Sequence, residues 1–164
     1  MIKVIQNLLG QEEINQLLKD ILPTVADENM VYFDKPPEYY GIKKAKCIDY
    51  PLIKTIADRL GVPFTRIETA GLLCYPVGAH NSMHMDNCIV DNGKIKQIKP
   101  WTHTGVLFLN DNFKGGELVY PEQGQKFIPT TGTFVLAPAD ETHMHEVTRV
   151  EEGERYTLVM RFIL

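Results

Sequence analysis

Cysteines are few in this chain of 164 residues, and it has neither a net positive charge nor a long apolar run; each of these features argues against a class of protein. The three cysteines, Cys47, Cys74 and Cys88, are odd in number and widely spaced. They suit neither the disulfide framework of a small secreted domain nor a zinc-binding cluster. The sequence therefore predicts a protein of the reducing cytoplasm.

Membrane and nucleic-acid partners are also disfavoured. No apolar run is long enough to cross a bilayer, and the first ten residues lack the pattern of a signal peptide. The formal net charge is −4, whereas proteins that bind the nucleic-acid backbone are usually basic. A local cluster of Lys94, Lys96 and Lys99 is interpreted as a solvated loop. None of these features indicates an oligomeric state.

The length of the chain and the absence of repeats or linkers in its sequence predict a single domain over residues 1–164. Residues 1–63 are expected to supply helical support and a substrate loop, and residues 64–164 a jelly-roll core. Apolar residues at helical spacing predict one helix over 11–22 and a second over 51–60.

The second part of the chain consists of short segments of strand-like alternation separated by turn residues. The predicted strands are 66–75, 82–88, 102–109, 116–120, 125–128, 132–137, 144–149 and 154–163. About eight short strands indicate a barrel or a two-sheet jelly roll. The fold class is therefore mainly β, with about two N-terminal helices packed on one sheet.

Two short patterns could supply metal ligands. His84 and Asp86 are two residues apart, so on a strand their side chains would lie on one face. His143 and His145 repeat this spacing on a later predicted strand, and either could be a third ligand. Two histidines and a carboxylate can form a facial triad that holds non-haem iron and leaves coordination positions open.

A basic residue on the last predicted strand could bind a carboxylate. Arg155 lies ten residues after His145, and Thr157 shares its face of the last strand. A guanidinium with a neighbouring hydroxyl can bind the carboxylate of a dicarboxylic acid. The apolar residues Tyr156 and Leu158 occupy the alternate positions, so Arg155 is expected to face the barrel lumen or solvent.

With these patterns in order, the chain resembles the prolyl 4-hydroxylase type of the iron(II)/2-oxoglutarate oxygenase superfamily, from about Leu72 to Phe162. The segments that carry the resemblance are CYPVGAHNSMHMDN, TGVLFLNDNFKGGELVYPE, TGTFVLAP and HEVTRVEEGERYTLVMRF. The resemblance implies a double-stranded β-helix, the cupin-like form of the jelly roll, that uses Fe(II), 2-oxoglutarate and O2, with ascorbate as a candidate reductant.

The resemblance also implies roles for individual residues. His84, Asp86 and His145 match the iron ligands, with His145 preferred to His143 for its HEV context. Residues that match the 2-oxoglutarate pocket are Arg155, which would pair with the distal carboxylate, Tyr75, Thr157 and Thr104. The intact carboxylate of Asp86 favours hydroxylation, because halogenating relatives have a small residue there.

The chain departs from the family at two positions near the expected substrate. Asn81 or His80 stands where an aromatic residue often precedes the His-x-Asp motif, and Arg161 stands where the last strand often carries tryptophan. Both departures weaken the transfer of prolyl specificity more than the transfer of iron chemistry. Residues 31–46, which are rich in Tyr and Pro, and residues 89–101 are expected to cover the iron and to form the substrate groove.

The expected function is hydroxylation of a C–H bond, with succinate and CO2 as co-products and peptidyl proline as the default substrate. An oxygenase of the same family that acts on a free amino acid or small metabolite is an alternative. A non-oxidative, cupin-like metal-binding protein is another, although such a protein has no need of Arg155 and Thr157. A nucleic-acid demethylase of the superfamily is disfavoured by the acidic net charge.

Overall fold

The computed structural model describes residues 1–25 and 41–164. Its helices are α1 (Gln11–Ile21) and α2 (Pro51–Leu60), with short 3-10 turns at Leu22–Thr24, Phe64–Arg66 and Glu141–His143. The strands in the first half are β1 (Lys3–Ile5), β2 (Lys43–Lys46), β3 (Ile67–Tyr75), β4 (Asn81–His84), β5 (Cys88–Asp91) and β6 (Lys94–Gln97). Those in the second half are β7 (His103–Phe108), β8 (Lys114–Gly115), β9 (Leu118–Tyr120), β10 (Gln125–Phe127), β11 (Phe134–Pro138), β12 (His145–Val147), β13 (Val150–Glu152) and β14 (Arg155–Phe162).

Two antiparallel sheets form the body of the protein. The larger has six strands in the order β1-β11-β7-β14-β3-β2, and the smaller has four in the order β10-β9-β12-β4. Two further two-stranded sheets, β8 with β13 and β5 with β6, complete the strands of the described residues. The mainly-β jelly roll expected from the sequence is confirmed.

The helices cover the outer face of the larger sheet. Ile14 and Leu17 of α1, with Ile53 and Ile56 of α2, are fully buried in a cluster that includes residues of β3, β7 and β14. A bidentate ion pair between Arg59 and Glu13 joins the two helices, with nitrogen–oxygen distances of 2.7 and 2.8 Å. The helices end as predicted, α1 before Pro23 and α2 at Gly61, whose left-handed φ of 67° suits glycine. None of the helices in the described ranges is long and apolar enough to span a bilayer.

Strand β14 separates the apolar core beneath the helices from the space between the two sheets. Leu158, Met160 and Phe162 are fully buried beneath the helices. Arg155 and Thr157, on the alternate positions, are equally buried but lie between the two sheets. The predicted alternation along this strand is therefore present, and its polar face lines the lumen rather than solvent.

Several local predictions were wrong. Residues 43–46, expected to be part of a structureless loop, form β2 and pair with β3 at the edge of the larger sheet. Residues 31–40 of that loop fall within the range 26–40 that lies outside the described residues, so the expected substrate groove over 31–46 remains a prediction there. The lysine cluster lies on β6 and its flank rather than in a loop, because Val90 and Ile95 pair in a two-stranded hairpin.

The boundaries near the candidate ligands also differ from the prediction. Strand β4 ends at His84, so Asp86 lies just beyond the strand rather than on it. His143 lies in a 3-10 turn before β12 rather than on the strand with His145. The i, i+2 spacing therefore does not place either pair on one strand face.

The division of β14 into a core face and a lumen face predicts unequal effects of two neighbouring substitutions. Leu158→Ala should lower the free energy of unfolding by about 3 kcal/mol, because it leaves a cavity in a closely packed core. Val159→Ala, on the partly exposed lumen face, should cost less than half as much. Urea denaturation measures both values, and an equal or reversed order would contradict the assigned faces.

Candidate active site

Pairing of β4 with β12 brings two histidines together. His84 and His145 are register partners, and their ring centroids lie 4.3 Å apart. Asp86 reaches the same point from the turn after β4, with Oδ1 3.8 Å from Nε2 of His84 and Oδ2 3.5 Å from Nε2 of His145. One ligand atom from each residue lies within 4.8 Å of the others, so the three could hold a metal ion.

The second nitrogen of each ring sets its orientation. Nδ1 of His84 lies 2.7 Å from the carbonyl oxygen of Ser82, and Nδ1 of His145 lies 3.1 Å from that of His143. A carbonyl oxygen can only accept, so each Nδ1 carries the proton and each Nε2 keeps its lone pair for a metal. The side chain of His143 points elsewhere, with Nδ1 2.8 Å from a carboxylate oxygen of Asp140. The structure thus brings His145, and not His143, into the cluster.

Asp86 is held as a carboxylate by its neighbours. Burial opposes its ionisation, but Arg161, His145 and His84 outweigh that effect and place the pKa of Asp86 well below its usual range. Nη2 of Arg161 donates to Oδ1 at 2.7 Å, while Oδ2 is buried without a hydrogen-bond partner among the described residues. An ionised oxygen without a donor suits a bound cation.

His84 differs from free imidazole in the direction that metal binding requires. Burial and the neighbouring His145 lower the pKa of His84 to about 4. His84 is therefore neutral at physiological pH, as a metal ligand must be. The donor set of two imidazoles and one carboxylate is the one found at open non-haem iron sites.

Arg155 is a buried cation that lacks an anionic partner in the described part of the chain. Only 1% of it is exposed. Its Nε donates to the carbonyl oxygen of Gly116 at 2.9 Å and its Nη1 to Oγ1 of Thr157 at 3.2 Å. Its Nη2 is buried with no hydrogen-bond partner among the described residues. Burial lowers the pKa of Arg155, and Tyr75 opposes that shift.

The walls around Arg155 keep its guanidinium in place. Its central carbon lies 4.6 Å from the ring centre of Tyr75 and 5.4 Å from that of Phe108. Gly116 must be glycine, because its φ is 62° and a Cβ atom there would lie 2.7 Å from Cδ of Arg155. A carboxylate supplied by a ligand would satisfy the unpartnered nitrogen, so the residues present fit a dicarboxylate cosubstrate.

The remaining predicted pocket residue, Thr104, lies at the other end of this face. It pairs with Arg161 across β7 and β14 and is 2% exposed. Its hydroxyl is close enough to lower the pKa of Asp86, although Oγ1 makes no hydrogen bond of normal geometry with the described residues. The structure thus places Tyr75 and Thr157 beside Arg155, and Thr104 beside the candidate metal cluster.

Comparison with known proteins matches this geometry to a family. The family model of the 2OG-Fe(II) oxygenase superfamily matches residues 70–162, more than half of the chain. The chain belongs to the 2OG-Fe(II) oxygenase superfamily. The matched range begins within β3 and ends at the last residue of β14, so it contains all seven predicted site residues.

Curated relatives of the chain include proteins named as prolyl hydroxylases. Prolyl 3-hydroxylase 2 of Rattus norvegicus is 28% identical over 93 residues, which are 50% of this chain and 13% of the relative. The chain therefore spans only a small part of that curated relative.

Two solved structures share the fold. The 2OG complex of the viral collagen prolyl hydroxylase from Paramecium Bursaria Chlorella virus-1 has a TM-score of 0.72 at 16% identity, covering 98% of this chain and 94% of that one. A Pseudomonas putida prolyl-4-hydroxylase has a TM-score of 0.68 at 18% identity, covering 98% of this chain and 91% of that one.

The sequence did not identify Tyr120 and Arg161 as parts of the site. The ring of Tyr120 stacks on His145 with centroids 4.9 Å apart, and its position in the short strand β9 carries no sign of this contact. Arg161 was recognised as a departure from the family and as an alternative carboxylate anchor, but not as a partner of Asp86. It pairs with Asp86, and its guanidinium also lies 5.3 Å from the ring centre of Trp101. Asn81, the other departure, lies with Nδ2 3.4 Å from Nε2 of His84.

The placement of the histidines predicts which one holds metal. His145→Ala should strongly weaken Mn(II) or Fe(II) binding, because only two ligands remain. Loss of a residue that merely hydrogen-bonds to a metal ligand costs roughly 10- to 100-fold in metal affinity, and the loss here should be larger. Anaerobic metal titration measures the affinity. His143→Ala is the matched control and should keep metal binding, and the opposite pattern would show that the third ligand was assigned wrongly.

The ion pair between Arg161 and Asp86 predicts a metal-dependent effect on stability. Arg161→Met should destabilise the metal-free protein by about 3 kcal/mol at pH 7, because it leaves a buried carboxylate without its cation. Saturating Mn(II) should restore much of this loss, since the metal then neutralises Asp86.

Urea unfolding with and without Mn(II) measures both quantities. Arg149→Met is the control, because Arg149 is exposed and, within the described residues, donates to the Gly78 carbonyl oxygen rather than to a carboxylate. A loss for Arg161→Met that Mn(II) leaves unchanged would contradict the role given to this ion pair.

Proposed function

We propose that this chain is an iron(II)- and 2-oxoglutarate-dependent dioxygenase that hydroxylates a C–H bond. The observation that carries the proposal is the buried Nη2 of Arg155, a charged donor without a partner in the described residues. A fully buried cation needs an anion, and the family offers 2-oxoglutarate as that anion. Membership of the family and the cluster of His84, Asp86 and His145 support the same reaction class.

In this proposal, His84, Asp86 and His145 would hold the iron through the two Nε2 atoms and Oδ2. Bound iron(II) would activate O2, the oxidant of the reaction, so that one oxygen atom converts C–H to C–OH and the other enters succinate as 2-oxoglutarate loses CO2. Arg161 keeps Asp86 ionised and oriented, so that the carboxylate needs no proton transfer before it binds metal. The Nδ1 contacts of the two histidines keep their lone pairs directed at the same point.

Arg155 would bind the distal carboxylate of 2-oxoglutarate. Thr157 accepts from Nη1 and so directs Nη2 into the pocket, while Tyr75 and Phe108 exclude water from the guanidinium. In a dry environment this charge-assisted contact discriminates strongly for a carboxylate. Because Arg155 and Arg161 occupy opposite ends of one strand face, the cosubstrate tail and the iron would be bound by separate groups of residues.

For the prime substrate, we propose a peptide or protein, with hydroxylation of peptidyl proline as in a prolyl 4-hydroxylase. The printed names of the relatives support this class. A free amino acid or small metabolite is the second candidate, favoured by the departures at Asn81 and Arg161. Ascorbate is the proposed reductant in either case. A cytoplasmic location is supported by Cys47, Cys74 and Cys88, which are all free and buried.

The test of this function is succinate formation from 2-oxoglutarate with Fe(II), O2 and ascorbate, combined with a mass-spectrometric screen of proline peptides and amino acids for the gain of one oxygen atom. The proposal predicts slow succinate release without prime substrate and faster release with it. A protein that binds metal but never releases succinate would instead be a non-oxidative cupin-like protein.

The anchor role of Arg155 predicts a specific kinetic defect. Arg155→Met should raise the 2-oxoglutarate concentration for half-maximal succinate release at least about tenfold, because truncating one partner of a buried charge pair costs roughly 2–5 kcal/mol. Metal binding should survive in the anaerobic titration. Arg149→Met should leave the requirement unchanged, and an unchanged requirement in Arg155→Met would move the anchor to Arg161 or Arg149.

A further inference from the structure

A second pocket opens on the lumen face of the larger sheet, near its β2 edge. Its volume is about 290 Å³, the size of an amino-acid side chain with its neighbouring backbone rather than of a large ligand. Strands β2, β3 and β14 form its floor. The lining residues on which the argument depends are Lys44, Lys46, Leu73, Trp101, Val159 and Arg161.

Arg161 connects this pocket to the candidate iron site. Its guanidinium lines the pocket, lies 5.3 Å from the ring centre of Trp101 and donates through Nη2 to Asp86. A molecule in the pocket would therefore lie one side chain away from a proposed iron ligand. Arg155 lies six residues earlier on the same strand, roughly 20 Å away along the backbone. The residues assigned to 2-oxoglutarate, Arg155, Tyr75 and Thr157, are not among those that line this pocket.

The charge of the pocket is predominantly positive. Lys44 and Lys46 alternate on β2 and both line it, while Ala45 between them packs into the core. Neither lysine forms a salt bridge with any residue of the described ranges. Burial, followed by the charges of Arg161 and Lys46, lowers the pKa of Lys44, so these cations are crowded. Glu68 is the single acidic residue among those that line the pocket in the described part of the chain.

The apolar lining residues limit which anionic ligands fit the pocket. Leu73 and Val159 supply aliphatic walls, and Trp101 supplies an aromatic one. The side chain of Lys44 lies across the floor, since a Cβ atom on Gly71 would be 2.9 Å from its Cε. This arrangement suits a small apolar body that carries an anionic group toward the lysines.

We propose that this pocket binds a carboxylate of the prime substrate, so that the oxygenase selects acidic substrates. The inference rests on the proposed function, because it places this carboxylate beside the reacting C–H bond. The carboxylate could belong to an acidic residue next to the hydroxylated residue of a peptide, or to the carboxyl group of a small acid. The chemistry of recognition is the same in both cases.

Ligand binding in this pocket can be measured through Trp101 without enzymatic turnover. It is the single tryptophan of the sequence and lines the pocket, so its fluorescence reports occupancy. The protein is loaded with Mn(II) and 2-oxoglutarate and titrated to millimolar concentration with two matched pairs of probes. One pair is acetyl-Pro-Glu-amide and acetyl-Pro-Gln-amide, and the other is N-acetylproline and its amide.

Within at least one pair, the acid should bind about fivefold more tightly than its neutral partner, and the preference should shrink at high salt. A preference in the dipeptide pair assigns the carboxylate to a peptide side chain, and one in the acetylproline pair assigns it to a small acid. Equal binding within both pairs, or no response to any probe, would overturn the proposal.

Variants on β2 provide the matched control. The double variant Lys44→Gln/Lys46→Gln should abolish the preference for the acid, whereas Lys43→Gln, on the opposite face of the same strand, should retain it. Thermal unfolding of all variants checks that β2 remains paired with β3. A preference that survives in the double variant would show that the lysines do not bind the carboxylate.

Succinate release from 2-oxoglutarate separates this inference from the proposed function. Release of succinate together with equal binding of acid and amide would reject the acidic specificity and leave the dioxygenase intact. If neither 2-oxoglutarate binding nor succinate release occurs, the proposed function itself fails.

Discussion

The two-residue alternation of β14 is the constraint on which the rest of the structure depends. One face of the strand is apolar and is covered by the helices, which fixes the larger sheet in position. The other face carries Arg155, Thr157, Val159 and Arg161 into the space between the sheets. A shift of register by one residue would exchange the two sets and bury two guanidinium groups in the apolar core, at a cost no domain of this size could offset. The same pattern that builds the core therefore positions both candidate binding groups.

Among the buried polar atoms of the site that lack a partner in the described residues, one on Asp86 and one on Arg155 belong to groups of opposite charge. Oδ2 of Asp86 and Nη2 of Arg155 are both buried without partners among the described residues. The first suits a cation and the second an anion. Proteins rarely leave such groups unpaired, because each costs several kcal/mol in a dry interior. A metal ion and a dicarboxylate would supply partners for both atoms at once, which is the physical reason for assigning a cosubstrate-dependent metal enzyme rather than a simple metal-binding jelly roll.

Much of the fold was predictable because strand alternation and turn residues are local signals. The helices over 11–22 and 51–60 and the main strands of the second half follow from them. Strands β1 and β2 were not predicted, since both are short edge strands that exist only through pairing with β11 and β3. His84, Asp86 and Arg155 could be identified from the sequence, because their spacing and their resemblance to the family are visible there. The contact of Tyr120 with His145 could not, because the two residues meet only when separate strands pair. The pairing of Arg161 with Asp86 joins residues 75 positions apart and became visible only in three dimensions.

The central claim is that one lumen face binds a metal at His84, Asp86 and His145 and a dicarboxylate at Arg155. A crystal structure of the protein with Mn(II) and 2-oxoglutarate tests it most directly. The account predicts Mn(II) on the two Nε2 atoms and a carboxylate oxygen of Asp86, with the distal carboxylate of 2-oxoglutarate on Nη2 of Arg155. Metal bound at another cluster, or a distal carboxylate bound to Lys44 or Arg161 while Arg155 remains unpaired, would contradict it.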